Sequence, residues 1–385
     1  MTTSRLNVSK MLPIMMAFFV MSFCDLVGIG VDRVKLDFQL SNTLAQLIPS
    51  AVFLWFLILS VPVGILQDRI GKRNVLNIGM IITALGLLVP YFFYDFSTIL
   101  IGFALLGIGN TIVQVSANPL LVDVVPSNRQ SSFLSFSQFV KAIGSMIAPP
   151  LAGWFALQFG DWKLMFLAFG VVSVLTVLWL ASTKIEESVN KEKRASLASS
   201  FALLNNSYVL MMVMSIFLIV GIDVGINAVS GQFLLSKYNA SQTLAESGRS
   251  VYFFGKMLGT FGGAIMLTLL PSRKFFFWSA ILSIVSILAL LFAPSEMTAL
   301  AIIFIIGLGV ANIFPLVFSL TVEKYPTRAN EISGLMIMAV SGGAVIPLII
   351  GWVTDFTASA TVGMIVLLAC AVYELFSALL NLKKQ

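Results

Sequence analysis

The chain has 385 residues, of which 58% are hydrophobic and 10% charged, with a net charge of +6. A soluble domain is about half apolar and about a quarter charged. The mean hydropathy of +0.99 therefore excludes a water-soluble fold and a disordered chain, and implies a polytopic all-helical membrane protein. The absence of histidine removes Ser-His and Cys-His catalysis, histidine metal sites and histidine proton relays. With no serine-nucleophile motif and no GxGD signature, an enzyme is not implied. The two cysteines, Cys24 and Cys370, fall in apolar stretches and read as small hydrophobes.

A membrane-spanning helix needs about 20 mostly apolar residues. Twelve segments qualify: 11–31, 44–66, 74–94, 98–122, 131–157, 162–183, 207–230, 246–270, 275–293, 297–321, 331–354 and 359–381. Ionisable residues inside them are costly and default to function. The first segment carries Asp25, roughly 20 Å along it at helical rise. Asp32, Arg33 and Lys35 follow at its far end and read as interface anchors. The second segment holds Trp55, which could stack on a ring or simply pack. Between the second and third stands Gly64-Ile65-Leu66-Gln67-Asp68-Arg69-Ile70-Gly71-Lys72-Arg73. Here Gly64 admits a close helix neighbour, Gly71 a tight reversal, and Asp68, Arg69 and Arg73 form a candidate gate.

The fourth segment places Asn110, Gln114 and Asn118 four residues apart, on one face. The fifth places Gln138 and Lys141 together, with Lys141 roughly 15 Å deep. Its level is close enough to that of Asp25 for an ion pair. Amides both donate and accept, which suits sugar hydroxyls, but also suits bonds between helices. After the polar stretch from Lys184 to Asn206, the seventh segment carries Asp223 and Asn227, four apart. Lys256 lies across on the eighth. Asn312 on the tenth is the second half's candidate substrate ligand, and Glu374 on the twelfth stands isolated.

Most of the 23 Lys and Arg residues lie in loops on one side if the N-terminus is inside. This predicts both termini in the cytoplasm. It accounts for the basic balance without nucleic acid. The polar stretch divides the chain into residues 1–184, a linker 185–206, and 207–385. The halves resemble each other at an offset of about 200 residues. Gly107 and Gly109 match Gly307 and Gly309; Asp123, Pro126 and Arg129 match Glu323, Pro326 and Arg328. Gly144 matches Gly342, and Gly153-Trp154 matches Gly351-Trp352. A duplicated six-helix bundle predicts a site between halves and alternating access by rocking.

The run 64–73 resembles the G-x-L-x-D-R-x-G-R/K-R signature of the major facilitator superfamily. PVGIL at 62–66, QVSANPLL at 114–121, GKMLG at 255–259, FPLVFSL from 314 and ISGLMIMAVSGGAVIPLIIGWVTD ending at 355 are similar to the fucose:proton symporter family. That resemblance covers nearly the whole chain. It implies the twelve-helix, two-bundle fold and import of a neutral monosaccharide with protons, or in some members sodium. Against the family, its proton-linked aspartate position falls on Gly28, with Asp25 one turn earlier. Its helix-four glutamate is Gln114, its helix-five asparagine is Lys141 and its helix-eight arginine is Lys256. Gln138 is retained, and Asp223 occupies an acidic helix-seven position.

The resulting expectations are substrate contacts from Asn110, Gln114, Gln138, Lys141, Asn227, Asn312 and Trp55, and cation coupling through Asp25, Lys141 and Asp223. Expected partners are a small molecule such as a sugar, a proton or sodium ion, and membrane lipid. No cofactor, metal or nucleic acid is implied. The chain is expected to work as a monomer in a bacterial inner membrane. An anionic-sugar or organic-acid carrier, motivated by Lys141, and an exporter, motivated by Gly144-x-x-x-Ala148-Pro149 through Gly153, stay open as alternatives.

Overall fold

The computed structural model describes residues 8–27, 33–34, 37–40, 47–187, 196–240, 242–357 and 359–382, and every regular element among them is helical. Helix α1 spans Val8–Met21 and tightens into a 3-10 turn, Ser22–Leu26. Then come α2 (Leu47–Ile70), α3 (Lys72–Phe92), α4 (Phe96–Val124), α5 (Gln130–Phe159) and α6 (Leu164–Ser182). A short helix, Leu197–Ala202, precedes α7 (Ser207–Tyr238), α8 (Gln242–Met266) and α9 (Ser272–Leu291). Helices α10 (Glu296–Val310, then Ile313–Lys324) and α11 (Ala329–Met338, then Gly342–Thr357) are each in two pieces, and α12 is Ala360–Leu382. Among the described residues, 11 stretches are long and apolar enough to cross a membrane. The remaining expected segment is the more polar α8, which carries Lys256. The chain is thus an integral membrane protein whose helices match the twelve segments read from the sequence.

Helix ends are set by local chemistry. Asp95 accepts from the Thr98 backbone N–H at 3.0 Å and caps α4. Asn206 caps α7 by accepting from the N–H groups of Tyr208 and Val209, and Ser295 caps α10. Each occupies a donor that the first turn leaves unpaired. The Thr98 bonds favour charged Asp95 and hold its carboxyl below the ordinary aspartate range. That contribution is present above the ordinary value and lost as pH falls through the lowered one.

Three expected continuous helices are interrupted. In α1 the turn tightens after Met21, and the Met21 carbonyl there also accepts from the Asn110 amide at 2.7 Å. In α10 the break at Ala311 and Asn312 lies just before Pro315. Pro315 has no N–H to give the carbonyl four residues back. In α11 a 3-10 turn, Ala339–Ser341, precedes Gly342. A Cβ on Gly342 would stand 1.9 Å from the Phe217 carbonyl oxygen, so α7 passes hard against this point.

The chain forms two compact units. The first comprises Met1–Ser127, Val140–Ala202 and Pro326–Met338; the second comprises Asn128–Phe139, Leu203–Tyr325 and Ala339–Gln385. In the first, α4 packs on α2 and α3, and α3 on α6. In the second, α10 packs on α8 and α9, and α7 on α12. The repeat is visible in this packing. A Cβ on Gly107 would meet the Val52 carbonyl oxygen of α2 at 2.4 Å, and one on Gly307 would meet the Tyr252 carbonyl oxygen of α8 at 2.4 Å. Gly109 likewise abuts Thr83 of α3, and Gly309 abuts Ser283 of α9. The matched loops Pro126-x-x-Arg129 and Pro326-x-Arg328 fold alike, as 3-10 turns at Ser127–Arg129 and Pro326–Arg328.

Candidate functional site

In the first unit the 3-10 turn carries Asp25, which is exposed although its neighbours Phe23 and Cys24 are buried. Its carboxylate accepts from the Ser145 hydroxyl of α5. The close approach is set by Gly144, where a Cβ would lie 2.0 Å from the Ser22 Oγ. Lys141 stands one turn before Ser145 and is half-buried. Among the described residues Asp25 and Lys141 do not form the expected ion pair; the partner that Asp25 finds on α5 is Ser145.

The amide column of α4 is real, and it is mostly self-satisfied. The Asn110 amide donates to Met21, Gln114 donates to the Asn110 Oδ1 at 2.8 Å, and Asn118 donates to the Gln114 carbonyl at 2.9 Å. All three are buried, and the Asn118 Oδ1 has no partner among the described residues. Trp55 is half-buried on α2.

In the second unit, Asp223 of α7 accepts from the Tyr252 hydroxyl at 2.6 Å and from the Lys256 ammonium, both on α8. Tyr252 is fully buried, while the two charged side chains are each about a quarter exposed. Asn312 sits at the α10 break, 2% exposed, and donates to the Gly259 carbonyl at 2.7 Å. Its Oδ1 has no partner among the described residues. Gln138, grouped with this unit, is half-buried. The Asn227 side chain, Asp32 and Lys35 lie outside the described residues.

The candidate gate residues on the α2–α3 loop have separate partners. Asp68 accepts from the Asn330 amide of α11 at 2.6 Å. Arg73 instead donates to the Thr183 carbonyl at 2.6 Å, and Arg69 is exposed. Gly71 has φ +86°, a left-handed value that favours glycine. The start of α3 receives the Glu187 carboxylate, which accepts from the Lys72 and Arg73 N–H groups at 2.5 and 3.1 Å. The Lys72 ammonium pairs with Asp123 at 2.5 Å, with side chains 3% and 8% exposed.

Ser145, Tyr252, Asn330 and Glu187 were missed by sequence reasoning. Two of them had a signal. Ser145 follows Lys141, and Tyr252 precedes Lys256, by four residues, which puts each pair on one helix face. The pairing of Asp68 with Asn330 and of Glu187 with α3 had none, because both are far apart in sequence. The arrangement offers a reachable carboxylate, a neighbouring ammonium and uncharged amide and hydroxyl groups. Among the described residues there is no cluster of three His, Cys, Asp or Glu side chains fit for a metal.

Comparison with known proteins agrees with this architecture. The chain is 26% identical over 359 residues to a glucose/galactose transporter of Brucella abortus, covering 88% of this chain and 86% of that one. It is 26% identical over 396 residues to a putative glucose/galactose transporter of Helicobacter pylori, covering 96% and 95%. Its fold matches the E. coli fucose:proton symporter FucP with a TM-score of 0.84 at 17% identity, covering 97% of this chain and 99% of that chain. It matches the proton:xylose symporter XylE with a TM-score of 0.78 at 16% identity, covering 99% and 96%. The Major Facilitator Superfamily profile matches residues 13–230, and the chain belongs to that superfamily.

Proposed function

We propose that the protein imports a monosaccharide or sugar derivative by alternating access, in symport with protons, as a monomer in a bacterial inner membrane. The observation that carries this reading is the near full-length likeness to proteins named for glucose and galactose transport. Basic loop residues put both termini and the Asp68 loop in the cytoplasm. Asp25 is the proton-coupling carboxylate, since it is exposed and shares α5 contacts with the Lys141 turn. Gln114, Gln138, Trp55, Asn227 and Asn312 supply uncharged groups for sugar hydroxyls. Asp223, bonded to Tyr252 and Lys256, is the second coupling candidate.

The test is transport by purified protein in proteoliposomes. Glucose, galactose or fucose should exchange in counterflow and accumulate when a proton gradient is imposed. Asp25→Asn should abolish accumulation and spare counterflow, because exchange needs no net proton movement. Unchanged accumulation in this variant removes Asp25 from coupling, and accumulation driven by sodium alone replaces the proton.

A second reading is favoured by Lys141, which has no ion-pair partner among the described residues. An unpaired ammonium within the membrane suits a carboxylated sugar. In that case acidic sugars should compete in counterflow where neutral ones do not, and Lys141→Ala should lose binding itself.

A further inference from the structure

Glu374 of α12 is a fully buried ionisable group that the transport scheme does not use. It is 0% exposed, and neither carboxyl oxygen has a hydrogen-bond partner among the described residues. The Ser215 hydroxyl of α7 lies beside it, itself buried and unbonded. The other ionisable groups near it, Cys370 and Tyr373, are on its own helix. The helices packed on α12 are α7, α9 and the second piece of α11. On α7 the charged group is Asp223, eight residues past Ser215 or about 12 Å away, already bonded to Lys256 and Tyr252. Tyr208, Lys237 and Tyr238 lie near the α7 ends. On α9 the charged residues Arg273 and Lys274 stand at its start. The Asp355 side chain of α11 is outside the described residues.

Glu374 is also joined to a polar stripe. Glu374, Ser377 and Asn381 share one face of α12, and all three are buried. Ser377 faces the Met212 sulfur at 3.7 Å, and the Asn381 amide donates to the Ser377 carbonyl at 2.9 Å. The Asn381 Oδ1 accepts from the Tyr208 hydroxyl at 2.8 Å. Tyr208 and Asn381 then line a cavity of about 170 Å3 with Arg273, Leu320, Glu323 and Lys324. That cavity lies at the end of the unit assigned to the cytoplasm.

We propose that Glu374 is a proton-binding site in the core of the second unit, and that the Ser377–Asn381–Tyr208 stripe is its route to water in the cavity. Among the described residues a carboxylate there would have no cation, and only the Ser215 hydroxyl beside it, to compensate its lost hydration. The group therefore sits as the neutral acid in this conformation. On release, the O–H bond breaks, the electron pair stays on the carboxylate and the proton passes to water in the cavity. The three oxygens at hand, two of Glu374 and one of Ser215, are fewer than the roughly six that a hard cation takes. The consequence for uptake rests on the sugar-carrier reading; proton occupancy of Glu374 does not.

Infrared spectroscopy of the full chain in lipid tests this. At neutral pH the wild type should show a protonated-carboxyl C=O band that Glu374→Gln lacks. The band should fall reversibly as pH rises, and more slowly after a pH jump in Asn381→Leu. In transport, Glu374→Gln should lose proton-driven accumulation relative to its own counterflow. No band difference means an ionised Glu374 and overturns the proposal. A band indifferent to pH, or one removed by sodium at fixed pH, overturns it equally. Should Glu374→Gln not be recovered, Glu374→Asp must shift the band, and the wild-type titration still decides. A wild type that moves no sugar sinks the carrier reading alone and leaves the spectroscopic result standing.

Discussion

Asn110 shows how far residue-level reasoning reaches. Its spacing with Gln114 and Asn118 put all three on one face, and they are there. Spacing could not say that the Met21 carbonyl would meet the amide, because the two residues lie 89 apart in sequence. In this conformation Asn110 ties α4 to α1. Asn110→Ala would remove the bond to the Met21 carbonyl and leave the Gln114 amide without its partner. Such losses cost about 1–3 kcal/mol each. The expected result is a clear fall in melting temperature in detergent with little change in substrate affinity. A large loss of affinity at unchanged stability would instead make Asn110 a substrate ligand. The same limit applies at Asp25: the sequence offered Lys141 as partner, and the nearer donor is Ser145, one turn along the same face.

Elements were legible where apolar length decides, and all twelve segments have their helices. Interruptions were legible only in part. Pro315 announces the α10 break because a missing N–H is a property of the residue itself. The α11 break depends on α7 crossing at Gly342, a contact no local pattern encodes. Gly64 is similar. Its place in the loop motif called for a close neighbour, and that neighbour is the first piece of α11. A Cβ on Gly64 would stand 2.7 Å from the Asn330 carbonyl oxygen and 3.2 Å from the Gly334 Cα. Both are backbone atoms, so a whole helix must move. Overpacking of this kind costs about 1–3 kcal/mol, roughly five- to hundred-fold in the population of this packing. Gly64→Ala should fold, bind sugar and turn over several-fold more slowly. A cysteine reporter on Asn330 should become more reactive. Unchanged turnover and reactivity would show that α2 and α11 need not approach this closely during transport.

At the scale of the molecule, each compact unit holds a segment drawn from the other half of the sequence. Residues 326–338 group with the first unit and 128–139 with the second. Within the first, Ser333 donates to the Val115 carbonyl at 2.6 Å; within the second, Ser131 meets Ser319 at 2.6 Å. The duplication foretold two like bundles but not this exchange, since sequence similarity records descent and not which helix packs where. The exchange separates two polar contacts that lie four residues apart on the α2–α3 loop. Asp68–Asn330 joins the loop to an exchanged segment, so it must break whenever that segment leaves. Lys72–Asp123 joins α3 to α4, which pack on each other within the first unit. Removing one member of a buried ion pair costs about 3–5 kcal/mol, because the other charge is left unpaired. Lys72→Met should therefore lower the melting temperature sharply, and Lys72→Met with Asp123→Leu should recover much of it. Asp68→Asn should leave melting nearly unchanged while slowing turnover at saturating sugar more than it weakens binding. Asp68→Ala removes the same bond as Asn330→Ala, so the effects of those two substitutions on turnover should not add. If Asp68→Asn lowers stability as far as Lys72→Met does, the loop is a fixed strut. If the two effects on turnover add in full, Asp68 acts through some partner other than Asn330.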